Sequence, residues 1–300
     1  MNAKNHDNAI GMKALSDNSC ITVLSTPIGN LADMSQRGRD ALAAADLILA
    51  EDTRVTRKLL SLLGITGKTV EIYNDHSDEK RRREILKRLK TSNLNVVLVS
   101  DAGTPCISDP GYKLIRAARS EGLCLTAVPG PSAPITLAAM SGLPTSRLVF
   151  MGFLPSKEKA VRDEITFWSG YREHSVLFFD SVNRIERDLK IIAEFFPEAE
   201  FAVGRELTKR FEEVQVGSSE DIIRWLEDKE SLKGELTVMV YLPLPPAVVL
   251  TVSEFKTRYQ AEIGAAFSEG QSLRDLREVY ADKGLARKEL YKVLLELKEF

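Results

Sequence analysis

The stretch Val96–Gly111, VVLVSDAGTPCISDPG, constrains this chain more than any other. Val96, Val97, Leu98 and Val99 form a short, continuous apolar run, the pattern of a strand covered on both faces, as in a parallel sheet flanked by helices. The run stops at Ser100-Asp101-Ala102-Gly103-Thr104-Pro105, where small residues let a ligand approach the backbone. Asp109-Pro110-Gly111 signals a turn, and Tyr112–Glu121 has the pattern of a helix. In open α/β sheets ligands bind beyond the carboxyl ends of the strands. This loop is therefore a candidate ligand site; a tight β-to-α connection without a ligand is the other reading.

The same grammar recurs on either side. Cys20–Ser25 reads as a strand ending in Thr26-Pro27-Ile28-Gly29-Asn30, with a helix through Arg37–Ala45. Leu47–Ala50 reads as a strand ending in Glu51-Asp52-Thr53-Arg54, before a helix over Arg57–Leu63. Asp52 can face a substrate, but its spacing favours a helix N-cap. Val70–Tyr73 is a further strand, ending in Asn74-Asp75-His76-Ser77, and Leu123–Val128 another, ending in Pro129-Gly130-Pro131-Ser132-Ala133 before a helix over Ile135–Met140. Strands alternating with helices predict an α/β domain over 19–145.

A second α/β domain is expected over 146–242. It opens at Leu148–Leu154 and holds strands at Val176–Phe179, Phe201–Val203 and Leu236–Leu242, with helices at Ile185–Phe195 and Glu220–Glu227. Gly204-Arg205-Glu206-Leu207-Thr208-Lys209 follows one strand, and Gly234-Glu235 enters the last. Residues 243–250 hold Pro243, Pro245 and Pro246 and read as a stiff linker. Over 251–300 the pattern is helical. Thr251-x-x-Glu254 and Ser272-x-x-Asp275 are capping arrangements. Leu273, Leu276 and Val279 make one stripe, Leu290, Val293, Leu294 and Leu297 another, and Gly284 between them suits a C-terminal cap. Three short helices predict a helix-turn-helix-like module. Its nine basic and nine acidic residues cancel, so charge does not mark it as a nucleic-acid reader; Arg287, Lys288 and Lys292 are the candidate contacts if it is one.

Several function classes lose ground. The net charge of −2 provides no global basic field, although a local patch can still hold RNA. Lys80–Lys90 carries seven basic residues and one acid, with Ile85, Leu86 and Leu89 on its buried side; it is either a solvated helix face or an RNA phosphate contact. Gly67-Lys68-Thr69 lacks the earlier glycine of a P-loop, that position being Leu62. His6, His76 and His174 are scattered, and Cys20, Cys106 and Cys124 lack metal-ligand spacing, so no metal is expected and a reducing, cytoplasmic setting is. No apolar run reaches the roughly 20 residues of a membrane span. Residues 1–18 are polar and read as a flexible tail.

Taken together, SerThrProIleGlyAsn at 25–30, AlaGluAspThrArg at 50–54, SerAspAlaGlyThrPro at 100–105 and ProGlyProSerAla at 129–133 resemble the tetrapyrrole (corrin/porphyrin) methylase superfamily. ArgGluLeuThrLys at 205–209, Glu212-Glu213 and Gly234-Glu235 extend the match, and the branch it resembles methylates small-subunit ribosomal RNA on a ribose 2'-hydroxyl. Where that branch has tyrosine, glutamate, proline and histidine near 179–183, this chain has Phe179, Asp180, Val182 and Asn183.

The resemblance implies two α/β domains with S-adenosylmethionine in a cleft between them, in a homodimer acting on a cytidine of small-subunit ribosomal RNA. It places cofactor contacts at Pro27, Ile28 and Gly29, at Ser100, Asp101, Ala102, Gly103 and Ile107, at Ser132, and at Ala202, Glu235 and Leu236. A base for the acceptor hydroxyl is sought among Asp52, Glu206 and Lys209, the last only if its pKa is lowered; a structural ion pair among Arg205, Glu206 and Lys209 is the competing reading. A corrin or porphyrin methyltransferase and a non-catalytic RNA-binding protein are the rival functions. The helical module and the basic helix favour RNA over a small macrocycle, and the intact loops at 26–30 and 100–105 favour a bound cofactor.

Overall fold

A computed structural model describes residues 20–74, 79–229, 233–245 and 250–298. The expected tail at 1–18, His76 with its loop neighbours 75–78, and Pro246 of the linker lie outside the described residues. The chain divides into two compact units, 1–243 and 244–300.

The first unit begins with β1 (Cys20–Leu24), α1 (Gln36–Ala44), β2 (Leu47–Ala50), α2 (Thr53–Leu62) and β3 (Val70–Ile72). It continues with α3 (Glu79–Ser92), β4 (Asn95–Val99), α4 (Tyr112–Ser120), β5 (Cys124–Val128) and α5 (Ala133–Ser141). The five strands form one parallel sheet in the order β3-β2-β4-β1-β5. Alternation along each strand divides the core. Val96 and Leu98 pack with Ile21, Leu47 and Leu49 on one face, while Val97 and Val99 pack with Leu24, Ile48 and Ala50 on the other. Neighbouring β1 and β4 connect onward in opposite directions, which makes their carboxyl ends a topological switch point.

Beyond α5 come β6 (Leu148–Phe153), α6 (Glu158–Thr166), a 3-10 turn (Phe167–Tyr171), β7 (His174–Ser181), α7 (Ile185–Phe195), β8 (Glu200–Arg205), β9 (Glu213–Gly217), α8 (Ser219–Glu227) and β10 (Glu235–Leu242). These strands form a second sheet, β6-β7-β10-β8-β9, in which β6 and β7 are parallel and the other pairs antiparallel. Val176, Phe178, Val238 and Val240 face a core capped by Ile165, Trp168, Leu189 and Ile222. The opposite face, through Leu177, Ala202 and Met239, packs against Leu137 and Ala138 of α5. The helix that follows the 129–133 loop of the first sheet thus lies against the second.

Several elements differ from expectation. α2 starts at Thr53 rather than Arg57, because Asp52 caps it by accepting a hydrogen bond from the Arg54 backbone N–H at 2.8 Å. α6 and β9 have no counterpart in the sequence reading.

The second unit contains α9 (Val252–Ser268), α10 (Leu273–Val279) and α11 (Arg287–Lys298), so its first helix runs 17 residues and is not short. Thr251 and Ser272 both form complete capping boxes. Tyr280, not Gly284, is the C-cap of α10; Gly284 instead turns the chain at φ +100 and accepts a hydrogen bond from the Leu250 N–H. Val279 is exposed, and Tyr280 takes its place in a core with Phe255, Ile263, Leu276, Leu290, Val293 and Leu294.

Candidate active site

The carboxyl ends of β1, β4 and β5 are tied together. Thr26 and Gly103 exchange backbone hydrogen bonds of 2.8 and 3.1 Å across the switch point. Thr104 Oγ1 lies 2.9 Å from Ser25 Oγ and donates to the Pro131 carbonyl at 3.4 Å. Gly103 holds φ +78, a conformation that favours glycine, and a Cβ there would meet nothing closer than Ile28 Cγ2 at 3.5 Å. Further along the same loop Cys106 and Ser108, both non-glycine, are also left-handed, a concentration of backbone strain seen at functional sites.

Against these loops lies the edge of the second sheet, and between them is a cleft of about 360 Å3, within the size range of ligand pockets. One wall is Ile28, Ala102, Gly103, Thr104, Ile107, Asp109, Ser132, Ala133 and Pro134. The other is Phe153, Phe179, Asp180, Ser181 and the segment Gly234–Thr237. Its charged lining residues, Asp109, Asp180 and Glu235, are all acidic. Burial pushes the Asp109 carboxyl above the usual range, opposed by the nearby Ser100 hydroxyl and reinforced by the Asp101 carboxylate. Burial also pushes Asp180 up to about 6, opposed by the Ser181 N–H, reinforced by nearby Asp188, and opposed again by the Arg184 guanidinium, 3.2 Å from Asp180 Oδ1.

Of the expected cofactor contacts, Ile28, Ala102, Gly103, Ile107, Ser132, Glu235 and Leu236 line the cleft. Pro27, Gly29, Ser100, Asp101 and Ala202 do not. Each of the last four has structural work. A Cβ on Gly29 would fall 2.8 Å from Thr208 Oγ1, so glycine there lets the 26–30 loop abut the 207–209 loop. Ser100 donates to the Ala102 carbonyl, and Asp101 Oδ1 accepts from the Asp52 N–H at 3.0 Å. Ala202 is fully buried in β8, beneath the α5 contact.

None of the three candidate bases lines the cleft. Asp52 is bound by the Arg54 guanidinium, whose hydrogen bonds draw its carboxyl down to about 2. Glu206 Oε1 accepts from Lys209 Nζ at 2.9 Å and from the Glu235 N–H at 3.0 Å. Partial burial raises the Glu206 pKa, but these bonds outweigh it and hold the group low. Lys209 also reaches Glu235 Oε2 at 3.0 Å, and its two carboxylate partners keep its pKa raised against partial burial. Lys209 thus shows no lowered pKa; it pairs with Glu206 as the ion-pair reading has it, but Arg205 stands outside that pair and binds Glu213 at 2.9 Å instead. The effect of the Glu206–Lys209 pair is to pin the Gly234–Glu235 entry to β10, where a Cβ on Gly234 would collide with the Glu206 carboxylate.

The sequence reading missed Asp109, Phe153 and Ser181, and noted Phe179 and Asp180 only as a departure. A turn signal conceals Asp109. The others come to the cleft through the pairing of the second sheet, which leaves no local pattern. Among the described residues no group of three or more His, Cys, Asp or Glu could hold a metal ion, and no helix is long and apolar enough to cross a membrane.

Two α/β sheets with a carboxylate-lined cleft at the switch point define a class, and comparison with known proteins identifies it. Residues 21–223 match the Tetrapyrrole (Corrin/Porphyrin) Methylases, and the chain belongs to that family. It is 42% identical over 226 residues to "Ribosomal RNA small subunit methyltransferase I" of Rickettsia prowazekii (strain Madrid E), covering 74% of this chain and 78% of that protein. The protein of the same name from Mesorhizobium japonicum is 36% identical over 284 residues, 92% of each chain, so that likeness extends into the helical unit. The fold also matches the crystal structure of a cobalamin biosynthetic enzyme, cobalt precorrin-4 methyltransferase, with TM-score 0.54 and 17% identity over 76% of this chain and 97% of that one.

Proposed function

We propose that the protein transfers a methyl group from S-adenosylmethionine to the 2'-hydroxyl of a cytidine ribose in small-subunit ribosomal RNA. The observation that carries the reading is the cleft itself, with small-residue loops at the switch point on one wall and only carboxylates among its charged groups. When bound, S-adenosylmethionine supplies an electrophilic methyl on a positively charged sulfur. The residues fit such a group. Asp109 suits a cationic ligand, while Asp180 and Glu235 are held by Arg184 and Lys209, and Gly103 leaves open space where a side chain would intrude.

The chain's contribution to rate is positioning. Loops cross-bonded at Thr26–Gly103 and Ser25–Thr104 hold one wall, and the Glu206–Lys209–Glu235 links hold the other. Well-oriented reactants in such a frame gain up to about 7–11 kcal/mol over a bimolecular encounter. The acceptor proton needs a base, and Asp109 is the cleft carboxyl assigned here: it is half-buried, and its raised pKa makes it a better base than an exposed carboxylate. Asp52, Glu206 and Lys209 then act as cap and frame.

The names of the relatives support ribosomal RNA over a corrin or porphyrin acceptor. A homodimer in the cytoplasm belongs to the same reading; three cysteines, an odd number without metal-ligand spacing, suit a reducing compartment, and sedimentation tests the dimer. The deciding experiment incubates the protein with methyl-labelled cofactor and immature small ribosomal subunits, then maps the label. Label at one cytidine 2'-oxygen is expected. Label on a tetrapyrrole alone, or none on RNA, defeats the reading.

A further inference from the structure

Resting on the RNA reading above, we infer that Phe153, braced on Phe179, is the platform on which the base of the acceptor nucleotide stacks once it has left the RNA helix. β6 is an edge strand that carries a bulge just before Phe153. Phe150 pairs with Leu177 and Phe153 with Phe179, so three steps along β6 match two along β7. The extra residue is accommodated at Gly152, which turns at φ +68 and lies so close to the 106–108 loop that a Cβ would fall 2.7 Å from Ser108 Oγ. Bulges of this kind re-aim a side chain, often beside an active site.

Here the re-aimed side chain is a phenylalanine that lines the cleft while 62% exposed, its ring 5.2 Å from that of Phe179. Phe179 is held in turn by Phe150, edge-on at 5.3 Å. Ile107, 54% exposed, lines the same cleft from the first sheet's loop. An exposed ring supported from below, with an aliphatic side chain on the other wall, suits a flat, uncharged group. The charge of the site selects which part of an RNA that is. Two of the three lining carboxylates are paired, Asp180 with Arg184 at 3.2 Å and Glu235 with Lys209 at 3.0 Å, and among the described residues the lining itself offers no cationic side chain to hold a phosphate, so what enters is base and ribose while the backbone stays outside. A ribose hydroxyl brought into the cleft carries its base with it, and an unstacked base is held by aromatic stacking in single-strand recognition.

The test uses full-length protein with Phe153→Ala, Phe153→Leu and Phe153→Tyr. Binding of S-adenosylmethionine, binding of immature small ribosomal subunits, methylation kinetics and sedimentation are each measured. For Phe153→Ala, kcat/KM for RNA should fall about 5- to 150-fold, the range of one lost base–aromatic stack, and by a clearly larger factor than the cofactor affinity. Phe153→Tyr should restore most of the activity and Phe153→Leu little of it. Full restoration by leucine, an equal loss of cofactor affinity, a changed oligomeric state or unaltered RNA kinetics in Phe153→Ala each overturns the platform. Failure of wild-type protein to methylate the subunit defeats the underlying RNA reading instead, which separates the two.

Discussion

At the scale of single residues, the cleft depends on positions where an added group has a computable consequence. Gly103→Val puts a branched side chain into the open space beside Ile28 and forces it into a left-handed backbone. Loss of S-adenosylmethionine binding is expected with the fold retained, checked by calorimetric titration alongside circular dichroism; a folded variant with wild-type affinity contradicts the assignment. Asp180 offers a test of linkage. It is 5% exposed, and burial raises its carboxyl to about 6, above the roughly 3.9 of an unfolded chain. The native state then binds the proton more tightly than the unfolded state. Its stabilising contribution is complete below pH 4 and lost as pH rises through 6. Relative to Asp180→Asn, wild type should therefore lose stability between pH 4 and 7, by no more than about 3 kcal/mol. Thermal melts of both proteins across that range measure it, and a pH-independent difference would refute it.

Among the secondary-structure elements, α3 shows why a charge run is a poor guide on its own. Its basic residues read either as a solvated face or as an RNA phosphate contact; in the fold Arg81 and Arg88 close on Glu71 of β3, Arg83 pairs with Glu79, and Lys90 reaches Glu121 at 2.8 Å. Three of the seven, Arg81, Arg88 and Lys90, fasten the helix to its surroundings. Arg88→Gln should cost about 1 kcal/mol in denaturant unfolding, whereas Arg83→Gln, on the solvent side, should stay within about 0.5 kcal/mol. The capping boxes behave in the opposite way, since local sequence was sufficient to find them. Thr251 and Ser272 each accept a backbone N–H three residues on and receive the acidic side chain in return. Replacing either with alanine should destabilise the helical unit by about 1 kcal/mol, seen as a lower melting temperature.

For the whole molecule, the helical unit 244–300 has a core of its own around Phe255, Leu276, Tyr280 and Leu290. A chain ending at Leu242 keeps both sheets and every residue that lines the cleft. It should bind S-adenosylmethionine with unchanged affinity. If the helical unit helps to dock the ribosomal subunit, KM for RNA rises with a smaller change in kcat. Unchanged kinetics in the truncated enzyme would remove that role. Aggregation would instead show that the helices cover apolar surface.

What the sequence by itself determined is local in origin. The apolar run at 96–99, the small-residue loops after β1, β4 and β5, and the Ser/Thr caps each declare themselves within a few residues, because strand burial, turn chemistry and capping act over that distance. The α/β class and one wall of the cleft follow from them. Glu235 and Leu236 of the other wall were expected from the family resemblance, and only the tertiary structure added Phe153, Phe179, Asp180 and Ser181 to it and paired the charges. Phe153 and Asp180 reach the cleft through a bulge and through strand pairing across the second sheet, contacts that no periodicity encodes. Glu206 and Lys209 stand in one short motif that reads equally as candidate bases or as an ion pair, and the second carboxylate bound by Lys209, that of Glu235, lies 26 residues beyond it. A pKa depends on every charge and every desolvating atom within a few ångströms, and the fold, not the order of residues, brings those together.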